Sequence, residues 1–255
     1  MRARRGQDVP MIQSGIAPLD LLLGGLCPGR LHVLTGGPGT GKTTASLQFL
    51  QAGLRAGESG ALITLDRTDD LALHARSIGM DLEAAVRAGR LVIVRFRAPF
   101  ASLLESAGSP APMIAELSAM IAEVRPARVV VDPLTPFLSE RSVNGAALAA
   151  FVVAMEELAL TTIVTYPNDV SAGFDARLGS VIQRAAIILH LTHADDGARG
   201  LRVVQTRTQP APPDALRLQW KQGVGLIALD EHPQPQLEVL PPKRSRRSPK
   251  REVST

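Results

Sequence analysis

The sequence has little cysteine, few aromatic residues and no long apolar run. Its single cysteine, Cys27, excludes an internal disulfide and cannot by itself form a cysteine-based zinc site. No apolar stretch approaches the roughly 20 residues that a membrane-spanning helix needs. The charged N-terminal stretch lacks the apolar segment of a secretory signal. We therefore expect a soluble cytoplasmic protein without a membrane partner, in which residues 1–12 form a short N-terminal arm.

Aromatic residues make up only 3% of the 255 residues, so the core must be built from Leu, Val, Ile and Ala. Such aliphatic runs are typical of parallel strands that are buried on both faces. The net charge of +4 comes from a C-terminal tail, residues 243–251, which carries six Lys and Arg residues. The rest of the chain is close to neutral. This balance does not favour a nucleic-acid platform on the folded body.

Short aliphatic segments alternate with amphipathic stretches up to about residue 185. The predicted strands are 30–35, 61–66, 90–96, 128–132 and 160–166, and the predicted helices are 42–56, 69–78, 113–124 and 146–157. Such alternation predicts βαβ units and a mainly parallel, twisted sheet flanked by helices.

The pattern changes after residue 185, where short turns with Gly or Pro separate the predicted strands 186–192, 201–207, 216–220 and 225–229. Direct strand-to-strand connections favour antiparallel pairing, so we predict an α/β fold with an antiparallel extension at its C-terminal side. Residues 13–232 then form one domain. Residues 233–255 form a Pro-rich linker and a basic tail that we expect to be disordered.

A glycine-rich segment follows the first predicted strand and opens the first predicted helix. It matches the pattern G-x-x-x-x-G-K-[ST] with Gly36, Gly37, Pro38, Gly39, Thr40, Gly41, Lys42 and Thr43, and Thr44 follows. Glycines let backbone N–H groups surround a phosphate, and the N-terminus of the helix attracts the same anion. In this pattern Lys42 approaches the β- and γ-phosphates and the Thr43 hydroxyl binds Mg²⁺.

A second acidic group is needed to organise Mg²⁺ and its waters. Asp132 ends the apolar run 128–131, so its side chain would emerge at the carboxyl end of a buried strand. Ligands of open α/β sheets bind at this edge. We predict that Asp132 binds Mg²⁺ through water. The alternative is that Asp132 only caps the turn at Pro133.

Several segments together resemble the KaiC-like branch of the RecA superfamily. They are Ser14-Gly15-Ile16, Leu22-Leu23-Gly24-Gly25-Leu26, residues 73–82 and Val129-Val130-Val131-Asp132-Pro133-Leu134-Thr135, and the resemblance covers about residues 13–230. It implies a single KaiC-type domain with a RecA-like sheet that binds ATP and Mg²⁺. It also implies a homo-oligomer, often a hexameric ring with sites at the subunit boundaries.

Two positions depart from the family pattern. Members usually carry two glutamates after the second strand, one of which activates the attacking water, whereas this chain has Asp66 and Arg67. The segment 203–207 resembles the strand that carries a Lys-x-Arg pair in the family. Here Gln205 replaces the lysine, and Arg207 remains. We take Asp66, Lys42 and Arg207, the last acting in a neighbouring subunit, as catalytic candidates. An ordinary surface arginine is the alternative for Arg207.

These features favour an ATP-dependent assembly or signalling switch with weak or absent hydrolysis and a protein partner. In this reading, ATP orders the loops near Asp66 and residues 168–175. One alternative is a DNA-binding recombination or repair ATPase that uses the loop around residues 168–179, or its tail at 243–251, to contact nucleic acid. Another is a protein autokinase, although the sequence identifies no acceptor hydroxyl. We interpret Trp220 as a core residue, with contact to adenine or to another subunit as the alternative.

Overall fold

The structure is a computed structural model of the chain. It describes residues 10–96, 111–138, 146–167 and 175–229. Most of the predicted N-terminal arm, the loop at 168–174 and the basic tail lie outside these ranges. Within them, no helix has both the length and the apolar character needed to cross a membrane.

The described residues form one nine-stranded sheet in the order β3-β2-β4-β5-β1-β6-β7-β8-β9. The strands are β1 (Leu31–Gly36), β2 (Gly60–Thr64), β3 (Leu91–Arg95), β4 (Arg128–Asp132), β5 (Thr161–Tyr166), β6 (Ile187–His193), β7 (Arg199–Thr206), β8 (Leu216–Lys221) and β9 (Gly225–Ala228). The first six strands pair in parallel. β7, β8 and β9 extend the sheet in antiparallel fashion. The predicted fold class is confirmed.

Helices cover both faces of the sheet. They are α1 (Ala17–Leu23), α2 (Lys42–Arg55), α3 (Thr68–Ser77), α4 (Leu82–Arg87), α5 (Ala111–Ala122), α6 (Ala146–Glu157) and α7 (Gly179–Arg184). One apolar cluster joins α1 to α4 to the sheet and includes Phe49. The other joins α5 to α7 and includes Phe137 and Phe151. Both faces of the central strands are therefore buried, which explains their continuous aliphatic sequences.

The register of the sheet brings the functional candidates to one edge. Thr64 at the end of β2 is paired with Asp132 at the end of β4, and Gly36 at the end of β1 is paired with Leu191 of β6. The carboxyl ends of β1, β2 and β4 therefore meet at the edge where open α/β sheets bind ligands. β2 ends two residues earlier than predicted, so Asp66 lies in the segment that follows it.

Candidate functional site

The glycine-rich loop makes a tight turn between β1 and α2. At Gly36, a Cβ atom would lie 2.4 Å from the carbonyl oxygen of Leu191, a distance that no real side chain tolerates. Gly41 precedes α2 with φ of 105°, in the left-handed region that favours glycine. The Thr40 hydroxyl donates to the Gly37 carbonyl at 2.9 Å and closes the loop from inside. The two glycines are therefore required by close approach and by backbone conformation.

Lys42 folds back over this loop. Its Nζ donates to the carbonyl oxygens of Gly36 and Gly37, at 2.8 Å each. Partial burial lowers the pKa of the Lys42 amine, and the negative charge of Asp132 acts in the opposite direction. Lys42 thus lies over the loop and within electrostatic range of Asp132, the acid that ends β4.

Asp132 is buried beside the loop, with 6% of its surface exposed. Its Oδ1 accepts a hydrogen bond from the Thr165 hydroxyl on the neighbouring strand β5. Its Oδ2 is buried and has no hydrogen-bond partner among the described residues. A buried carboxylate oxygen left without a donor is unfavourable unless water or a cation satisfies it. Asp132 therefore fits a role in holding hydrated Mg²⁺ better than a role in capping the turn at Pro133.

The acidic candidate Asp66 lies in the turn between β2 and α3. Its backbone N–H donates to the Thr64 hydroxyl at 3.1 Å. Partial burial raises the pKa of the Asp66 carboxyl, the charge of Asp132 raises it further, and His74 partly opposes both. The Asp132 carboxylate is therefore close enough to Asp66 to influence its pKa. Arg67 directly precedes α3 and is exposed.

A cavity of about 260 Å³ adjoins the loop. It is lined by Gly39, Gly41, Lys42, Thr43, Thr44, His74, Arg199 and Trp220. Trp220 is 39% exposed, so the interpretation of this residue as part of the core is wrong. The Nε atom of Arg199 is buried and has no hydrogen-bond partner in the described part of the chain. The sequence patterns missed Arg199 because it stands alone on a late strand, outside any motif.

His74 of α3 also belongs to this site. Its Nε2 lies 2.9 Å from the hydroxyl oxygen of Thr44 on α2. Burial lowers the pKa of the His74 imidazole, while the charges of Asp132 and Asp66 raise it. No sequence motif points to His74, because only the packing of α3 on α2 brings it to the loop.

Arg207 lies near the amino end of β6, at the end of the sheet opposite to the glycine-rich loop. Its backbone N–H donates to the Ala186 carbonyl, five residues before Leu191 on β6. At about 3.3 Å per strand residue, this places it about 17 Å from the level of the glycine-rich loop. The guanidinium donates to the carbonyl oxygens of Ala185, at 2.9 Å, and Gln183. Arg207 is therefore not part of the site formed within its own chain.

The family model described as the KaiC ATPase matches residues 12–231. This chain belongs to the KaiC ATPase family. The match includes the loop, β4 and the antiparallel extension, so it covers nearly all of the described structure.

Individual relatives agree with this assignment. The circadian clock oscillator protein KaiC of Synechococcus elongatus is 29% identical over 198 residues, which are 74% of this chain and 38% of that protein. A UPF0273 protein of Methanopyrus kandleri is 29% identical over 143 residues, which are 52% of this chain and 57% of that protein. The chain thus spans about two fifths of the KaiC protein and somewhat more than half of the UPF0273 protein.

A solved structure supports the fold assignment. A KaiC-like protein of Pyrococcus horikoshii superimposes with a TM-score of 0.72 at 24% identity, covering 87% of this chain and 99% of that one. The predicted RecA-like fold of KaiC type is therefore confirmed.

Proposed function

We propose that this protein binds ATP with Mg²⁺ at the loop Gly36–Thr44 and works as a nucleotide-dependent assembly or signalling switch. One observation carries the proposal: the Lys42 amine lies across the glycine-rich loop, next to a buried carboxylate with an oxygen left without a donor. A cationic cradle beside an acid is the arrangement that binds a phosphate chain together with its metal ion.

The residues present fit Mg²⁺ as part of a nucleotide complex. Thr43 at the start of α2 would supply a hydroxyl ligand, and Asp132 would hold a bound water. No group of three His, Cys, Asp or Glu side chains in the described ranges could hold a metal ion alone. The remaining ligands would therefore be phosphate oxygens and water, which is the usual environment of Mg²⁺ in nucleotide sites. Bound there, the ion would neutralise charge on the phosphates.

The nucleoside would occupy the cavity beside the loop. Trp220 offers an aromatic face, and Arg199 offers a buried Nε donor without a partner among the described residues. This arrangement supports a bound nucleotide whose base lies against Trp220. The KaiC family assignment supports ATP as that nucleotide.

Hydrolysis would depend on Asp66. In such a step the Asp66 carboxylate accepts a proton from water, the water oxygen bonds to the γ-phosphorus, and the bond to the bridging oxygen breaks to release ADP. The raised pKa of Asp66 favours proton acceptance, but a side chain one methylene shorter than glutamate positions water less well. We therefore propose slow turnover that resets the switch.

The position of Arg207 supports the proposal that nucleotide binding controls assembly of the protein. It lies about 17 Å from the loop of its own chain, so it can contact a γ-phosphate only in a neighbouring copy. An arginine supplied in this way stabilises charge on the phosphates and makes the contact between copies depend on nucleotide. A homo-oligomer, of which a hexameric ring is one form, follows from this proposal.

Nucleotide binding can be tested through Trp220, the only tryptophan of the chain. Its fluorescence should change as ATP and Mg²⁺ are added to the wild-type protein, and calorimetry should give the same dissociation constant. Lys42→Ala should abolish the signal, whereas Lys221→Ala, which removes an exposed lysine at the end of β8, should leave it intact. A wild-type protein that binds no ATP by either method contradicts the proposal.

A further inference from the structure

The hydrogen bond between Thr44 and His74 has no role in the function described so far. Thr44 is the third residue of α2 and is 4% exposed, and His74 reaches it from α3. Both residues line the cavity that also contains Gly39, Gly41 and Lys42. The pair therefore contacts the space next to the phosphate loop, as well as joining two helices.

The chemistry of the pair depends on which atom donates. A threonine hydroxyl has one proton and two lone pairs, and a neutral imidazole has one N–H and one bare nitrogen. If Thr44 donates to His74, its only proton is used inside the protein. If His74 Nε2–H donates to Thr44, the hydroxyl proton remains available to a ligand in the cavity.

The surroundings favour the second arrangement. The cavity lies at the first turn of α2, where free N–H groups and the helix dipole attract an anion. A hydroxyl that accepts from an imidazole is polarised and donates more strongly to an anionic oxygen. Burial lowers the pKa of His74, which favours the neutral ring that such a pair needs.

We infer that His74 and Thr44 form an additional phosphate-binding element, in which His74 Nε2–H donates to Thr44 and Thr44 donates its hydroxyl proton to a phosphate oxygen of the bound nucleotide. His74 is thus a positioning residue that acts through Thr44. This inference rests on the proposed nucleotide binding at residues 36–44 and adds to it His74, a residue outside that loop, which orients the Thr44 hydroxyl. The element recognises phosphate and does not read the base.

The test compares two replacements of nearly equal size. His74→Gln keeps an N–H donor at the end of the side chain, and His74→Met removes it. Thr44→Val removes the hydroxyl while keeping the shape, and the double variant His74→Met/Thr44→Val closes a double-mutant cycle. The dissociation constant of ADP is measured by Trp220 fluorescence and calorimetry, because ADP carries phosphates but is not hydrolysed. Leu73→Ala, at an exposed residue of the same helix, controls for general effects on α3.

We expect His74→Met and Thr44→Val each to weaken ADP binding about tenfold, a typical effect of losing one hydrogen bond to a charged group. The double variant should also be weakened only about tenfold, because both changes remove the same contact. His74→Gln should bind within about threefold of wild type, because it keeps an N–H donor. The other variants lose one hydrogen bond between α2 and α3, so their unfolding temperature without nucleotide should fall only modestly.

Three outcomes overturn the inference. If His74→Met binds ADP as tightly as wild type or more tightly, Thr44 donates to His74. If the two single effects add to about a hundredfold in the double variant, the residues act independently. If the His74 variants lose thermal stability at unchanged affinity, the pair only stabilises the packing of α3 on α2. A wild-type protein that binds no ADP or ATP defeats the proposed function itself, whereas each of these three outcomes leaves it standing.

Discussion

His32 should make the stability of this protein depend on pH between about 4 and 6.5. The side chain lies in β1, is 1% exposed, and donates through Nε2 to the Cys27 carbonyl at 3.0 Å. Its Nδ1 is buried without a hydrogen-bond partner among the described residues. Burial lowers the pKa of His32 to about 4, because a second N–H would be buried without an acceptor.

The sign follows from which state binds the proton first. As pH falls, the unfolded chain protonates His32 near its ordinary pKa of about 6.5, whereas the folded protein does so only near 4. The contribution to stability is complete above pH 6.5 and is lost as pH falls toward 4. In full it amounts to about 3 kcal/mol, of which about 2 kcal/mol is lost by pH 5.

The assay is urea unfolding of the nucleotide-free protein at pH 7.5 and pH 5.0. Other groups also titrate in this interval, so the informative quantity is the difference between variants. His32→Gln and His32→Leu should each lose about 2 kcal/mol less than wild type between the two pH values, even though their absolute stabilities differ. If both variants lose as much free energy of unfolding as wild type does, His32 titrates alike in both states and the reasoning is refuted.

Two further predictions concern buried charges. Arg128→Ala should lower the free energy of unfolding by about 3 to 5 kcal/mol, because it leaves the carbonyl oxygens of Gln13 and Phe49 without the donor they have at 2.6 and 2.9 Å and breaks the ion pair with Glu58. Glu58→Gln should lower the free energy of unfolding in urea by about 1 kcal/mol, since Glu58 is partly exposed. Equal losses for Arg128→Ala and Glu58→Gln would contradict the argument. Asp132→Asn should abolish most of the gain in ATP affinity that Mg²⁺ provides, with little effect on binding in EDTA. An unchanged gain from Mg²⁺ would exclude Asp132 from the metal site.

The sequence predicts the sheet well because its strands are buried on both faces. Every predicted strand has a counterpart in the structure, since aliphatic runs such as 129–131 are typical of strands buried on both faces. The short helices α1, α4 and α7 were not predicted. With 7, 6 and 6 residues, they are too short to show a helical repeat.

The site was predicted only where a local motif specifies it. The loop and Asp132 could be found because each lies directly after a strand, where chain direction fixes the position of the side chain. His74 and Trp220 reach the same cavity from α3 and β8, and their positions depend on packing between elements far apart in the sequence. The interpretation of Trp220 as a core residue failed for this reason: large apolar residues are usually buried, and its exposure arises only where β8 extends beside the loop.

The proposed contact between copies has a direction, and this makes it testable without hydrolysis. Each copy would offer a nucleotide at one edge of its sheet and Arg207 at the other, which is a head-to-tail interface. Lys42→Ala keeps the Arg207 edge but loses the nucleotide, and Arg207→Ala keeps the nucleotide but loses the arginine. With ATP, wild type should assemble into larger species, and each variant alone should stay monomeric. An equal mixture should form heterodimers and nothing larger. The nucleotide of the Arg207→Ala copy can meet Arg207 of the Lys42→Ala copy, but the reverse contact lacks both the nucleotide and the arginine. Sedimentation velocity distinguishes these species. Assembly of either variant alone, or a mixture that stays monomeric, would mean that Arg207 does not reach the nucleotide of a neighbour.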